Sequence, residues 1–134
     1  MLETLKNDSK SLGELNKITD RIIGIAIEVH KNLKPGFVER IYEKALKYEF
    51  EKNNICFESQ KQIKVQYKDV ELGFQQIDLL IEDEIIVETK VVNEINDIHI
   101  AQLLSYLKTM KRRLGLILNF AKPALEIKRV INGF

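Results

Sequence analysis

The chain has 134 residues, 45% of them apolar and 31% charged, with a formal net charge of +1. That size and apolar content suit one domain with its own core, and the near-neutral balance excludes the global basic signature of many nucleic-acid binders. Any phosphate-binding surface must therefore be local. The single cysteine, Cys56, excludes an internal disulfide or a cysteine metal cluster and suits a reducing, cytoplasmic setting, as a small core or rim side chain. No apolar run is long enough for a signal peptide or a membrane span.

Residues 1–17 are polar with scattered leucines and read as a tail or short lead-in helix, ahead of a single domain over 18–134. Thr19 or Asp20 can cap a helix running to about Asn32, with Ile18, Ile22, Ile25, Ala26, Val29 and Leu33 as its buried stripe. His30 lies off that stripe and is expected at the surface or helix end. Lys34-Pro35-Gly36 breaks the chain before a second helix over Phe37–Lys52. One apolar row there is Phe37, Ile41, Ala45 and Tyr48, and its neighbour is Val38, Tyr42 and Leu46. Glu39 shares a face with Tyr42 near the helix start, where a solvated glutamate suits the helix dipole.

Alternation predicts a strand over about 56–67, a turn at Lys68-Asp69 and a return strand over Val70–Ile81, with Gly73 at a bend or bulge. The stretch Ile77–Val91, IDLLIEDEIIVETKV, then reads as a hairpin whose two Ile/Val runs flank an acidic tip at Glu82–Glu84. A three-residue turn pairs 81 with 85, 79 with 87 and 78 with 88. That register puts Asp78 and Glu88 opposite each other, with Glu88 and Lys90 on one face. Carboxylates so placed repel, and a hard divalent cation between them relieves the repulsion. Lys90 would then orient an attacking water or a phosphate oxygen. The plainer reading is a solvated edge hairpin whose charges guard against edge pairing.

Asp97 can cap a third helix reaching about Met110, with Ile100, Leu103, Leu104 and Leu107 on its apolar stripe and Gln102 and Tyr106 one turn apart. Lys108, Lys111, Arg112 and Arg113 crowd its end, either as a dipole-favoured helix terminus or as the local basic patch that contacts phosphates. Leu114–Phe120 reads as a central buried strand, and alternating residues from Leu125 as an edge strand. The element order is ααβββαββ, a mixed sheet of about five strands flanked by helices.

That order resembles the PD-(D/E)XK nuclease superfamily: an acid on a helix, Asp on the second strand, Glu-x-Lys on the third and Gln on the next helix. More narrowly, Gly36-Phe37-Val38-Glu39-Arg40-Ile41-Tyr42 is similar to the motif naming the GxxExxY protein family. The segments EVHKNLKPGF, QIDLLIEDEIIVETK, AQLLSYL and LGLILNF resemble it too, and Gln102–Tyr106 resembles the QxxxY motif of RecB-type nucleases. Lys34 and Ala121 depart from expected glycines without touching a proposed ligand. The resemblance implies a restriction-endonuclease-like core and a catalytic set of Glu39, Asp78, Glu88 and Lys90, supported by Gln102 and Tyr106. It implies Mg²⁺, or Mn²⁺ in its place, on Asp78, Glu88 and the Thr89 carbonyl, with Glu39 reaching the ion directly or through water.

Two functions fit these residues. One is a metal-dependent nuclease hydrolysing phosphodiester bonds, of DNA in the first instance, with a homodimer compatible with this reading. The other is a catalytically silent module of the same fold that binds nucleic acid or protein. The intact Asp78/Glu88/Lys90 set favours the first, and the near-neutral charge favours the second. An RNase, or a nuclease that needs a partner chain, is a third and weaker reading.

Overall fold

The computed structural model describes residues 10–133. Helix α1 spans Leu12–Leu33, α2 Glu39–Lys52 and α3 Asp97–Met110; strands β1 to β5 span Phe57–Tyr67, Val70–Ile81, Ile85–Lys90, Leu114–Asn119 and Glu126–Ile131. The strands form one sheet in the order β1-β2-β3-β4-β5. All neighbours are antiparallel except β3 and β4, which are parallel and joined through α3. A parallel pair needs such a crossover, and α3 supplies it.

Helix α1 starts earlier than Thr19 or Asp20. Ser11 caps it in a reciprocal box with Glu14, and Thr19 is fully buried in mid-helix, its hydroxyl bonding the Asn16 carbonyl. Of the expected tail, residues 1–9 lie outside the described residues, and the remainder is mostly the first turns of α1. His30 is also buried rather than at the surface. It stacks on Phe120, and its Nε2 lies 2.8 Å from the Lys122 carbonyl. Helix α3 is capped by Asn96, not Asp97; its side chain accepts from the backbone of Ile98 and His99.

The sheet divides the core in two. Helices α1 and α2 cover one face with Ile22, Ala26, Tyr42, Leu46 and Phe50, against strand residues such as Leu79, Val87 and Leu116. Helix α3 covers the other with Leu103, Tyr106 and Leu107, against Leu80, Ile86 and Ile117. Both central strands are buried on both faces, which is why their sequences read as unbroken apolar runs. Of the two apolar rows on α2, the one through Tyr42 and Leu46 is inside, while Ile41 and Tyr48 are exposed. On α3, Tyr106 completes the buried stripe and Leu104 is only partly covered. Gly115 marks where α3 approaches the sheet most closely, because a Cβ there would meet the Ile86 carbonyl and the Leu103 methyls at 3.0 Å. Truncating Leu79 or Leu116 to alanine is expected to cost roughly 2–5 kcal/mol, measurable by denaturant unfolding. No helix of the described residues is long and apolar enough to cross a membrane.

Candidate active site

The β2–β3 hairpin has the register expected from a three-residue turn, with Leu79 opposite Val87, Leu80 opposite Ile86 and Ile81 opposite Ile85. The ladder ends there. In place of a further backbone rung, the two acids lock the strands reciprocally. The Asp78 N–H donates to Glu88 Oε2 at 2.9 Å, and Asp78 Oδ2 accepts from the Thr89 N–H at 3.0 Å and the Thr89 hydroxyl at 3.1 Å. Asp78 and Glu88 are therefore coupled, though not as the simple cross-strand pair that alternation predicts.

The reason is a kink in β2. Ile77 packs in the cluster under α3, whereas Leu79 packs in the cluster under α1 and α2. On a regular strand these two side chains would share a face. Across from Asp78, between the pairs Ser59–Leu79 and Lys61–Ile77, Gln60 takes φ 51°, a left-handed backbone rare for a residue with a side chain. A clamp holds it there. Gln60 Nε2 donates to both oxygens of Glu43 at 3.0 and 2.8 Å, and Gln60 Oε1 accepts from Gln76. Glu43 is buried beneath α2, and loss of hydration raises its carboxyl pKa, with the Asp78 charge adding to the rise. Gln60→Gly and Gln60→Ala both lose the clamp, but glycine relieves the φ whereas alanine keeps the strain. Melting temperatures should therefore rank parent and Gln60→Gly above Gln60→Ala.

The electrostatics tie the remaining groups together. Glu88 is 5% exposed, and its carboxyl is pushed up to about 8, first by loss of hydration and then by the Asp78 charge. Lys90 acts against this rise, and Glu39 adds to it. Glu39 is solvent-exposed as a residue, yet crowding around its carboxyl end raises its pKa, with Asp78 next in effect and Lys90 opposing. Helix α3 brings Tyr106, whose phenol is pushed up to about 12 by loss of hydration and then by Glu88 and Asp78, while the Gln102 side chain bonds it. The phenol thus keeps its proton near neutral pH and remains a hydrogen-bond donor.

Glu39, Asp78, Glu88, Lys90, Tyr106 and Gln102 are thus gathered from α2, β2, β3 and α3. Thr89 joins them through its bonds to Asp78, its side chain fully buried. The basic residues 108–113 are not gathered there. In the parallel pair, Leu114 aligns with Ile85 and Asn119 with Lys90, so the end of α3 sits a strand length from the acids. Arg112 is engaged elsewhere: it bonds the Asp83 carbonyl at 2.8 Å and the Asp83 carboxylate at 3.0 Å, pinning the β2–β3 turn.

Glu43 belongs to none of the sequence motifs, and its one local signal is the i+4 spacing from Glu39 that puts both on one side of α2. The Gly36–Tyr42 motif has a structural half as well. Gly36 has φ 128°, where only glycine is comfortable, and the buried Tyr42 hydroxyl donates to the Lys34 carbonyl at 2.6 Å and accepts from the Phe37 N–H at 3.2 Å. Tyr42 stacks on Phe120 with ring centroids 4.5 Å apart. It anchors the loop that delivers Glu39 to the cleft.

Among the described residues no three His, Cys, Asp or Glu side chains form a ready-made metal cage. The donor chemistry of the pair nonetheless suits a hard divalent ion: two coupled carboxylates, one buried and disfavoured as an anion. A cation would offset the charge that burial penalises.

The sequence profile of the PD-(D/E)XK nuclease superfamily matches residues 16–130, and the chain belongs to that superfamily. No curated protein sequence matches significantly. A solved structure titled "Crystal structure of SSO0001" superposes with a TM-score of 0.55 at 16% identity, covering 71% of this chain and 50% of that one. This chain thus spans half the length of that protein, and the likeness is one of fold. The five-stranded mixed sheet flanked by helices is a restriction-endonuclease-like core.

Proposed function

We propose that this protein is a metal-dependent nuclease that hydrolyses phosphodiester bonds, with DNA as its substrate. The observation that carries the reading is the reciprocal lock of Asp78 and Glu88, with Glu39 and Tyr106 coupled to both carboxylates and the Lys90 charge acting on Glu88. Asp78 and Glu88, with the Thr89 carbonyl, would hold Mg²⁺ or Mn²⁺, and Glu39 would join directly or through water. When bound, such an ion polarises a phosphate and makes water a stronger acid. Lys90 places a positive charge beside Glu88 and Glu39, suited to hold a phosphate oxygen or the attacking water. Tyr106, oriented by Gln102, offers a phenol proton at the rim of the acids. The narrower GxxExxY kinship accords with the roles of Gly36, Glu39 and Tyr42, and a cytoplasmic setting accords with the single cysteine, which is exposed and free.

The absence of a ready-made cage among the described residues favours the second reading, a silent module of the same fold. Incubation with single-stranded, double-stranded and branched DNA, and with RNA, in Mg²⁺, Mn²⁺ or chelator separates the two. The nuclease reading expects metal-dependent cleavage of DNA. Intact substrates in both metals would leave the silent module.

A further inference from the structure

The basic end of α3 is remote from the acids, so a polyanionic substrate needs another cationic surface. Arg40, Lys44 and Lys47 stand at i, i+4 and i+7 on α2 and form one ridge, rising about 10 Å along the axis. Lys47 stands one turn from Glu43, the acid that Gln60 holds and that feels the Asp78 charge. Among the described residues no ion pair engages any of the three. Glu39 stands at the N-terminal end of the ridge, and Glu51 lies one turn beyond Lys47 at the other.

The β1–β2 arm runs outward from the point where it meets α2. Gln60 meets Glu43 on α2, which fixes the side of the arm turned toward that helix. Gln62 pairs with Gln76 and Lys64 with Phe74, and all four alternate onto that same side. The opposite side is covered by α3, where Gln75 bonds Ser105 and Thr109. The side bearing Phe74 is bare, and Phe74 itself is 61% exposed. Lys64 is engaged with Glu71, so the arm contributes amides and one aromatic ring rather than net charge.

We propose that the Arg40–Lys44–Lys47 ridge and the Phe74 side of the arm form the track by which a single-stranded stretch of nucleic acid reaches the acidic cleft. The proposal rests on the nuclease reading and names its substrate form. Three cations in a row, none of them held in an ion pair among the described residues, complement a phosphate backbone, and an exposed ring offers a face on which a base can stack. Stacking on Phe74 requires an unpaired base, and a duplex keeps its faces stacked internally. The run of Gln62 and Gln76 supplies donors and acceptors to base edges without fixing a sequence.

The test is fluorescence anisotropy in chelator, where nothing is cut, with a labelled strand of about 20 nucleotides and the same sequence as a duplex. The parent should bind the single strand more tightly. Arg40→Ala/Lys44→Ala/Lys47→Ala should weaken binding about tenfold or more and reduce the salt slope by about 2, since each lost phosphate contact on a single strand removes about 0.7. Phe74→Ala should weaken single-strand binding about fivefold or more and leave the duplex unchanged, and Phe74→Tyr should restore it. Lys108→Ala/Lys111→Ala/Arg113→Ala should bind like the parent. Circular dichroism melts establish that each variant is folded.

Parent-like binding by the α2 triple variant, or a larger loss from the α3 triple variant, overturns the track. So does tighter binding of the duplex with Phe74→Ala indifferent, or no binding of either form by the parent. The cleavage assay decides the nuclease reading separately. Cleavage with parent-like binding by the α2 variant leaves a nuclease with another track. Loss of binding in that variant, with no cleavage by the parent, leaves the track on a silent module.

Discussion

In chelator, the protein is expected to lose stability as pH rises from about 4.5 to about 8, a loss on the order of a few kcal/mol. Glu88 is the principal cause. In the folded state its carboxyl is pushed up to about 8, whereas in the unfolded chain it titrates near 4.5. Between those values the folded protein holds a proton that the unfolded chain has released. Stability is therefore full below the unfolded pKa and falls as pH climbs through the folded one. Glu39 and Glu43 are raised as well, so their contributions have the same sign. Millimolar Mn²⁺ should flatten the slope, because an ion on Asp78 and Glu88 competes with the proton and stabilises by RT ln(1 + [L]/Kd). Asp78→Asn removes one charge while keeping an acceptor for Thr89. It should melt at or above the parent in chelator and lose most of the metal response. Urea titrations at pH 5, 6, 7 and 8, with and without metal, are the measurement. A flat profile in chelator, with Asp78→Asn destabilised at neutral pH, would make the cluster a structural network.

Lys90→Ala is expected to lower cleavage by about 10²–10³-fold, in line with removing one positioned charge from a reacting phosphate. The metal-dependent melting shift should survive, and could only strengthen electrostatically, because Lys90 opposes the anionic environment a cation prefers. Single-turnover rates at saturating substrate isolate the chemical step from binding. Lys90→Arg keeps the charge but broadens it into a planar fork, so it should recover only part of the rate. A Lys90→Ala protein that cuts at the parental rate removes Lys90 from the chemistry. Loss of the melting shift in this variant would instead make it a support for the acid pair.

Elements with a strong local signature were legible in the sequence. The acidic tip at Glu82–Glu84 and the Ile/Val runs flanking it were enough for the β2–β3 register, since a three-residue turn admits only that pairing. The element order followed from periodicity, and the order of Asp, Glu-x-Lys and Gln pointed to the superfamily whose profile matches. Helix starts were less legible because several side chains can cap. Ser11 and Asn96 took the roles assigned to Thr19 or Asp20 and to Asp97, each by completing a reciprocal box.

Tertiary structure alone decided which of two apolar rows on α2 faces the sheet, and with it the inward turn of Glu43. It decided that β2 kinks at Asp78, since the Glu43–Gln60–Gln76 clamp joins residues 17 and 16 positions apart. It also decided that the basic end of α3 lies away from the acids, because the crossover returns the chain to the opposite end of the parallel pair. A sequence specifies local backbone preference and the faces of single elements directly. Which faces meet depends on packing between distant segments, and there the charge of Glu88 acquires its penalty and its partner.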